Sequence, residues 1–350
     1  MSTGTGIEWT DATWNPVVGC TPVSPGCLNC YAATMARRLE AMGRPEYVGL
    51  SVRRGENDHE AGGGRGRDVF AGVVRCLDDR LTAPLHWRKT RRVFVCSMAD
   101  LFHEAVPFEF IDRVFAVMAV CPQHTFQVLT KRPERMRKYL TGSHSVGWSM
   151  KLATAARELL GRTPLSVWVD GKAEAAFNAV AEHDGVLPNV WLGASAERQQ
   201  ELDERVPHLA KCPAAVRFLS CEPLLGPLDI FDVDGPLSIA MAKADPHELR
   251  FPADVIDWVI VGGESGANAR PCVSGWVRSI VRQCREAGTP VFVKQLGAWS
   301  VPALGSITAD EAPEAGRFNF TDRKGGDPEE WPEDLRVREW PACAAVEENR

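Results

Sequence analysis

Three cysteines near the N-terminus, Cys20, Cys27 and Cys30, carry the strongest chemical signal in this chain. They sit in the run Trp14-Asn15-Pro16-Val17-Val18-Gly19-Cys20-Thr21-Pro22-Val23-Ser24-Pro25-Gly26-Cys27-Leu28-Asn29-Cys30-Tyr31, a C-x6-C-x2-C spacing. A loop that wraps a metal needs thiolates that converge and a backbone that bends so that amide N–H groups face sulfur. Pro16, Pro22, Pro25, Gly19 and Gly26 suit that backbone. Three thiolates are one short of a closed tetrahedral zinc site. They suit a four-iron cluster whose fourth iron is left open to a cofactor or substrate. Spacing alone also admits a zinc site completed by a distant His or Cys, and three thiols with no metal. No second Cys-x2-Cys pair and no His-x3-5-His pair follows downstream, which weighs against zinc.

The other residues with chemistry to offer recur just after short apolar runs. Ser97 and Asp100 follow one such run, with His103 and Glu104 beyond them. Lys131-Arg132, Ser195 with Glu197, and Ser220-Cys221-Glu222 follow the next three. Gly262-Gly263-Glu264-Ser265-Gly266, with Arg270 beyond, and Lys294-Gln295 follow the last two. In a parallel α/β barrel the functional groups lie at the C-terminal ends of strands, so these residues converge on one rim. Glu222 and Lys131 are the candidate catalytic groups. Ser97, Asp100, Ser195, Gly262, Gly263, Glu264 and Lys294 are the candidate cofactor-binding groups. Lys131 and Arg132 also suit a carboxylate or the phosphates of a nucleic acid. Each has a plainer reading: Gly-Gly as a tight turn, Lys131-Arg132 as a solvated helix start, His103 and Glu104 paired with their neighbours. Trp9, Trp14 and Tyr31 either line the pocket or pack the loop down.

The runs that must position these groups are Val93–Ser97, Phe126–Thr130, Val190–Ala194, Val216–Ser220, Trp258–Gly262 and Val291–Lys294. Near-continuous apolar stretches of this length read as buried parallel strands. Trp14–Val18 and Val73–Leu77 bring the strand candidates to eight, a barrel-like number. Helical patterns alternate with them over Leu28–Met42, Phe108–Val120, Glu197–Lys211 and Gly275–Ala287, with Gly43 and Gly288 as stop signals. The alternation predicts an α/β fold with parallel strands, a full or partial (β/α) TIM-like barrel. The expected division is a barrel with its cysteine loop over 1–299 and an irregular, acidic extension over 300–350. Helical insertions are expected near 141–188 and 228–253, and a Gly-rich, charged loop over Arg54–Arg67.

At 350 residues and 45% hydrophobic content the chain can bury a large core. No apolar run approaches the ~20 residues that span a bilayer. Met1 to Glu8 is polar, without a signal-peptide core. With eleven cysteines and no secretion signal, a reducing cytoplasm is the expected compartment. The eight cysteines outside the loop, Cys76, Cys96, Cys121, Cys212, Cys221, Cys272, Cys284 and Cys343, read mostly as small core hydrophobes. A net charge of −6 gives no global argument for nucleic acid. The acidic excess lies in the tail after Trp299, however. Arg53, Arg54, Arg65, Arg67, Arg75, Arg80, Arg88, Lys89, Arg91 and Arg92 form a basic stretch ahead of it.

Ile7 to Pro16, the cysteine loop, Met98 to Glu104, Leu129 to Pro133, Phe218 to Gly226 and Val261 to Pro271 together resemble the phage-associated three-cysteine-motif family. That family occurs in phages and bacteria and is similar to the radical S-adenosylmethionine (SAM) enzymes. The resemblance runs from Ile7 to about Gly297, the insertions apart. It implies a radical SAM type of barrel, with a [4Fe–4S] cluster on Cys20, Cys27 and Cys30 and SAM on the fourth iron. This chain departs from the superfamily's C-x3-C-x2-C motif. Its first gap is six residues, Asn29 stands where an aromatic is usual, and its Gly262-Gly263-Glu264 comes late rather than after an early strand.

The expected function is therefore a radical SAM-like enzyme acting on a nucleic-acid base in DNA repair or modification. Its expected partners are DNA or RNA and a reductase or flavodoxin-type electron donor, with no membrane. Two other classes stay open at this point. One is a nucleic-acid-binding protein with a structural iron–sulfur cluster. The other is a zinc-dependent hydrolase with Glu222 or Glu264 as base.

Overall fold

The computed structural model describes residues 5–55, 66–142, 147–160, 171–183, 185–232, 234–244, 252–302 and 316–342. The chain opens with β1 (Ala12–Trp14) and β2 (Val17–Val18), passes through the cysteine loop, and enters α1 (Tyr31–Ala41). An antiparallel hairpin of β3 (Ser51–Arg54) and β4 (Arg67–Phe70) follows, then β5 (Arg75–Cys76). From β6 (Arg92–Val95) strands and helices alternate: α2 (Phe108–Ala119), β7 (Thr125–Thr130), α3 (Pro133–Thr141), α4 (Trp148–Leu159), α5 (Gly171–Ala181) and β8 (Val190–Ser195). Then come α6 (Gln199–Ala210), β9 (Val216–Cys221), α7 (Pro236–Ala244) and β10 (Trp258–Gly262). The last elements are β11 (Cys272–Val273), α8 (Ser274–Ala287), β12 (Val291–Gln295) and β13 (Ser300–Val301).

Seven of these strands form one parallel sheet in the order β1-β6-β7-β8-β9-β10-β12. The sheet curls into a half-barrel flanked by helices. All six apolar runs of the central pattern became its strands. Val73–Leu77 did not: β5 pairs antiparallel with β2, Val17 opposite Cys76, as a ribbon outside the main sheet. The expected first helix also starts later, at Tyr31, because Pro25–Cys27 forms a separate 3-10 turn and Cys30 is the N-cap. Gly288, at φ +70°, ends α8 in the left-handed conformation expected of it.

The convex face of the sheet is covered by helices. Val93, Val95, Phe126, Val128, Val190 and Leu192 pack there with Ile111, Phe115 and Met118 of α2. Leu219, Val259, Val261, Val291 and Val293 pack with Trp276, Val277 and Ile280 of α8. The concave face holds aromatics: Phe94, Trp191, Phe218, Trp258 and Phe292, with Trp9 from ahead of β1. Trp9 lies 4.8 Å from Phe94, ring centre to ring centre. Trp340 stacks on Trp258 at 4.9 Å. These rings fill the half-barrel toward the N-terminal ends of its strands and leave space only toward the other end.

α4 and α5 lie in the expected 141–188 insertion and pack on α2 and on each other. α7 lies in the 228–253 insertion and packs on α6. The described part of the extension folds back along β12: Val293 N donates to Val337 O at 2.8 Å and Glu339 N to Val291 O at 2.9 Å. Arg65, Cys343 and most of the Gly-rich loop lie outside the described residues. Among those described, no helix is long and apolar enough to cross a membrane.

Candidate functional site

The space above the aromatic floor is a cavity of about 240 Å³ at the C-terminal ends of the strands. Trp9, Phe94 and Leu129 lie at its base. Ser97, Asp100, Lys131, Arg132, Ser195, Ser220, Glu222, Gly263, Glu264 and Lys294 form its wall, and Cys20, Cys27, Cys30 and Tyr31 form its roof. The parallel register explains the wall: Ser195 stands opposite Ser220 on adjacent strands. A strand that ends in a polar residue delivers it to the same rim as its neighbours.

The cysteine loop is held over this mouth by buried side chains from three strand ends. From the end of β8, Glu197 is fully buried and accepts from the Ser24 hydroxyl, from Gly26 N at 3.1 Å, from Lys131 Nζ at 3.0 Å and from Arg205 Nη1 at 2.9 Å. Burial alone would raise its carboxyl pKa. Lys131, Arg205 and the hydrogen bonds outweigh burial and bring it down to about 2. From the end of β10, Glu264 accepts from Asn29 Nδ2 at 2.8 Å and from Arg270 Nη2 at 2.6 Å, while Arg270 Nη1 donates to Pro25 O at 2.9 Å. From the end of β7, Arg132 donates through Nη2 to Thr21 O at 3.0 Å and approaches Cys20 Sγ through Nη1 at 3.8 Å. Asp100 at 3.2 Å and Glu104 at 2.9 Å neutralise it. His103 braces the same turn, with Nε2 2.9 Å from Thr21 Oγ1 and Nδ1 accepting from Ala105 N.

Several expected site residues thus line the cavity but are committed to the protein itself. Arg132 is only 7% exposed and does not present its guanidinium to phosphates. Asp100 accepts from Thr130 Oγ1 at 2.7 Å, Lys131 N at 3.0 Å and Phe102 N at 2.9 Å. Ser97 donates to Asn15 Oδ1 at 3.1 Å. A Cβ at Gly263 would collide with the Leu296 carbonyl, and one at Gly262 would lie 2.8 Å from Glu222 Oε1. These glycines serve close packing between strand ends. Glu222 and Lys294 pair side by side on the cavity wall at 3.0 Å. Tyr31 donates to Ser97 O at 2.7 Å. Trp14 packs outside the cavity, its indole N–H on Arg80 O at 2.8 Å.

The basic stretch divides. Arg92 opens β6, pairs with Asp11 and lies 4.0 Å over Trp340, at the end of the half-barrel opposite the cavity. Arg88, Lys89 and Arg91 precede it on that side. Arg53 lies on β3, in the hairpin whose Phe70 lines the cavity, and pairs with Asp68 at 3.4 Å. Asn29 and Arg205 carry no motif that marks them: the partners of Asn29, Glu264 and Asn268, lie far away in the chain, and those of Arg205, Glu197 and Ser195, lie on the preceding strand end. The one local trace is that Arg205 falls among Leu202, Val206 and Leu209, on the buried side of α6.

The three loop thiols fit a cluster in their chemistry. All are free. Burial raises the Cys20 thiol to about 12, with Asp100 adding and Arg132 opposing. Burial also raises Cys30, against the N–H groups of Ala33 and Ala32 that face its sulfur. The Ser24 hydroxyl lies 3.8 Å from Cys27 Sγ. Donors aimed at sulfur are what stabilise thiolate once a metal displaces the proton. Among the described residues no three His, Cys, Asp or Glu side chains converge on a single point. A cluster does not ask this of its ligands, since each sulfur binds a different iron. Of the other cysteines, Cys96, Cys121, Cys212, Cys221, Cys272 and Cys284 are buried, and Cys76 is partly so.

A family model matches residues 4–323, nearly the whole chain. The chain belongs to the family described as "Protein of unknown function (DUF5131)". No curated protein and no solved structure matches it. For this DUF5131 member the argument about chemistry therefore rests on the mouth of the half-barrel.

Proposed function

We propose that this protein is an iron–sulfur enzyme of the radical SAM type, with Cys20, Cys27 and Cys30 as cluster ligands and a nucleic-acid base as substrate. One observation carries the reading: three free thiols are held by buried polar contacts over a cavity at the C-terminal mouth of a parallel half-barrel. Cys20, Cys27 and Cys30 would hold a [4Fe–4S] cluster, which would supply one-electron reductive cleavage of SAM and, through it, hydrogen abstraction from the substrate.

The chain's own residues bind, orient and exclude water. The α1 N-terminus places positive potential beside Cys30, and Arg132, itself neutralised by Asp100 and Glu104, points a donor at Cys20. Glu222 and Lys294 offer a carboxylate and an ammonium side by side, which suits the amino and carboxylate groups of an amino acid. Ser195 and Ser220 offer hydroxyls to a polar edge, and Trp9, Phe94 and Leu129 form a dry floor for a planar ring. A base inside a strand would have to leave the stack to reach this floor. The electron would come from a reductase or flavodoxin-type donor.

The test is an anaerobic reaction of reconstituted, dithionite-reduced protein with SAM, resolved by chromatography. 5′-Deoxyadenosine and methionine are expected, slowly even without substrate. A fully loaded protein that neither binds nor cleaves SAM would overturn the reading in favour of a structural cluster. A colourless, zinc-loaded protein would overturn it in favour of a hydrolase.

A further inference from the structure

We infer that Glu197 is a positioning residue that sets the cysteine loop against the barrel mouth through Ser24 and Gly26. The relevance of this to a cluster rests on the function proposed above. The carboxylate side chain is wholly buried, 171 residues in sequence from Gly26. Two cations, Lys131 and Arg205, hold one of its oxygens, Oε2. The other, Oε1, takes the Ser24 hydroxyl and the Gly26 N–H, both between Cys20 and Cys27. The fit leaves no room: a Cβ at Gly26 would lie 2.6 Å from Oε1. The Glu197 carbonyl also accepts from Leu225 N at 2.9 Å, so the residue ties the β8 end to the segment after β9. Burying three charged groups for stability alone is inefficient, since apolar packing serves as well. A carboxylate does what packing cannot: it recognises two adjacent donors and so fixes where Cys27 stands.

The test uses the full chain without iron first. Glu197→Ala should speed alkylation of Cys27 by roughly tenfold or more, the loss of a charge-assisted hydrogen bond. Cys221 and Cys284 in the core should stay protected. Gly26→Ala, which removes no charge, should expose Cys27 in the same way, and the double variant should be no worse than the more severe single one. If Glu197→Ala exposes the core thiols as well, Gly26→Ala decides alone. Cys27 as protected as in the native chain, in a folded Gly26→Ala protein, overturns the inference, and so do additive effects. A second readout follows loading. Glu197→Gln keeps an acceptor for Gly26 but removes a negative charge near the cluster, so its midpoint potential should rise, which general loosening would not produce. An unchanged potential in a loaded Glu197→Gln protein overturns the positioning role. A native chain that takes up no iron overturns the cluster reading and leaves the alkylation result standing.

Discussion

Arg132 is buried beside two carboxylates, Asp100 and Glu104. Removing it by Arg132→Met would leave Asp100, itself 6% exposed, without its cation. The expected cost is about 3–5 kcal/mol, read from urea unfolding. A loss below ~1 kcal/mol would mean that the pair behaves as a surface one. Glu197 makes a pH prediction of definite sign. Its folded pKa of about 2 is depressed, so its contribution is full above the ordinary carboxyl range. That contribution is lost as pH falls through that range toward 2. Urea midpoints of the native protein should fall between pH 5 and pH 3 more steeply than those of Glu197→Gln; parallel slopes would contradict the assignment. The raised Cys20 thiol predicts that iron loading releases protons and improves with rising pH. These pairings could not be read from sequence. Lys131-Arg132 was visible as a cationic step at a strand end, but its partners lie up to 66 residues away for Lys131–Glu197 and 111 for Arg132–Thr21.

The elements were more legible than their contacts. Six apolar runs became parallel strands because a strand buried on both faces must be apolar throughout. Val73–Leu77 looked alike but carries Arg75 at its centre and is flanked by Gly72 and Asp78, and only Arg75–Cys76 forms a strand. It pairs with β2, where the chain has just left the main sheet. The extension looked irregular because it contains no long element. Its role lies in covering the β12 edge and stacking Trp340 on Trp258. Trp340→Ala should cost about 2–3 kcal/mol, below the range for a fully buried ring because Trp340 is only partly buried. It should also raise aggregation, as an uncovered edge strand pairs with other chains. Light scattering during thermal unfolding would show this; native-like scattering would contradict the covering role.

At the scale of the molecule the half-barrel has two ends with different work. One is packed with rings and sealed by the extension; the other is open, polar and roofed by the cysteine loop. The strand-end rule found that mouth from sequence, because it follows from strand direction alone. Partner and substrate were less legible, because the basic stretch is divided between the two ends. Nucleic-acid binding near the cavity should therefore depend on Lys131 and Arg53 rather than on Arg88 and Lys89. Electrophoretic shifts at low salt would separate the two sets, and equal losses would contradict the placement. The most direct test of the central claim is the electron paramagnetic resonance spectrum of the reduced, reconstituted protein with and without SAM. The account predicts a signal from about four irons per chain. The signal should change when SAM is added and be absent from Cys20→Ala, Cys27→Ala and Cys30→Ala. A signal indifferent to SAM, or one that survives in any of the three variants, would contradict it.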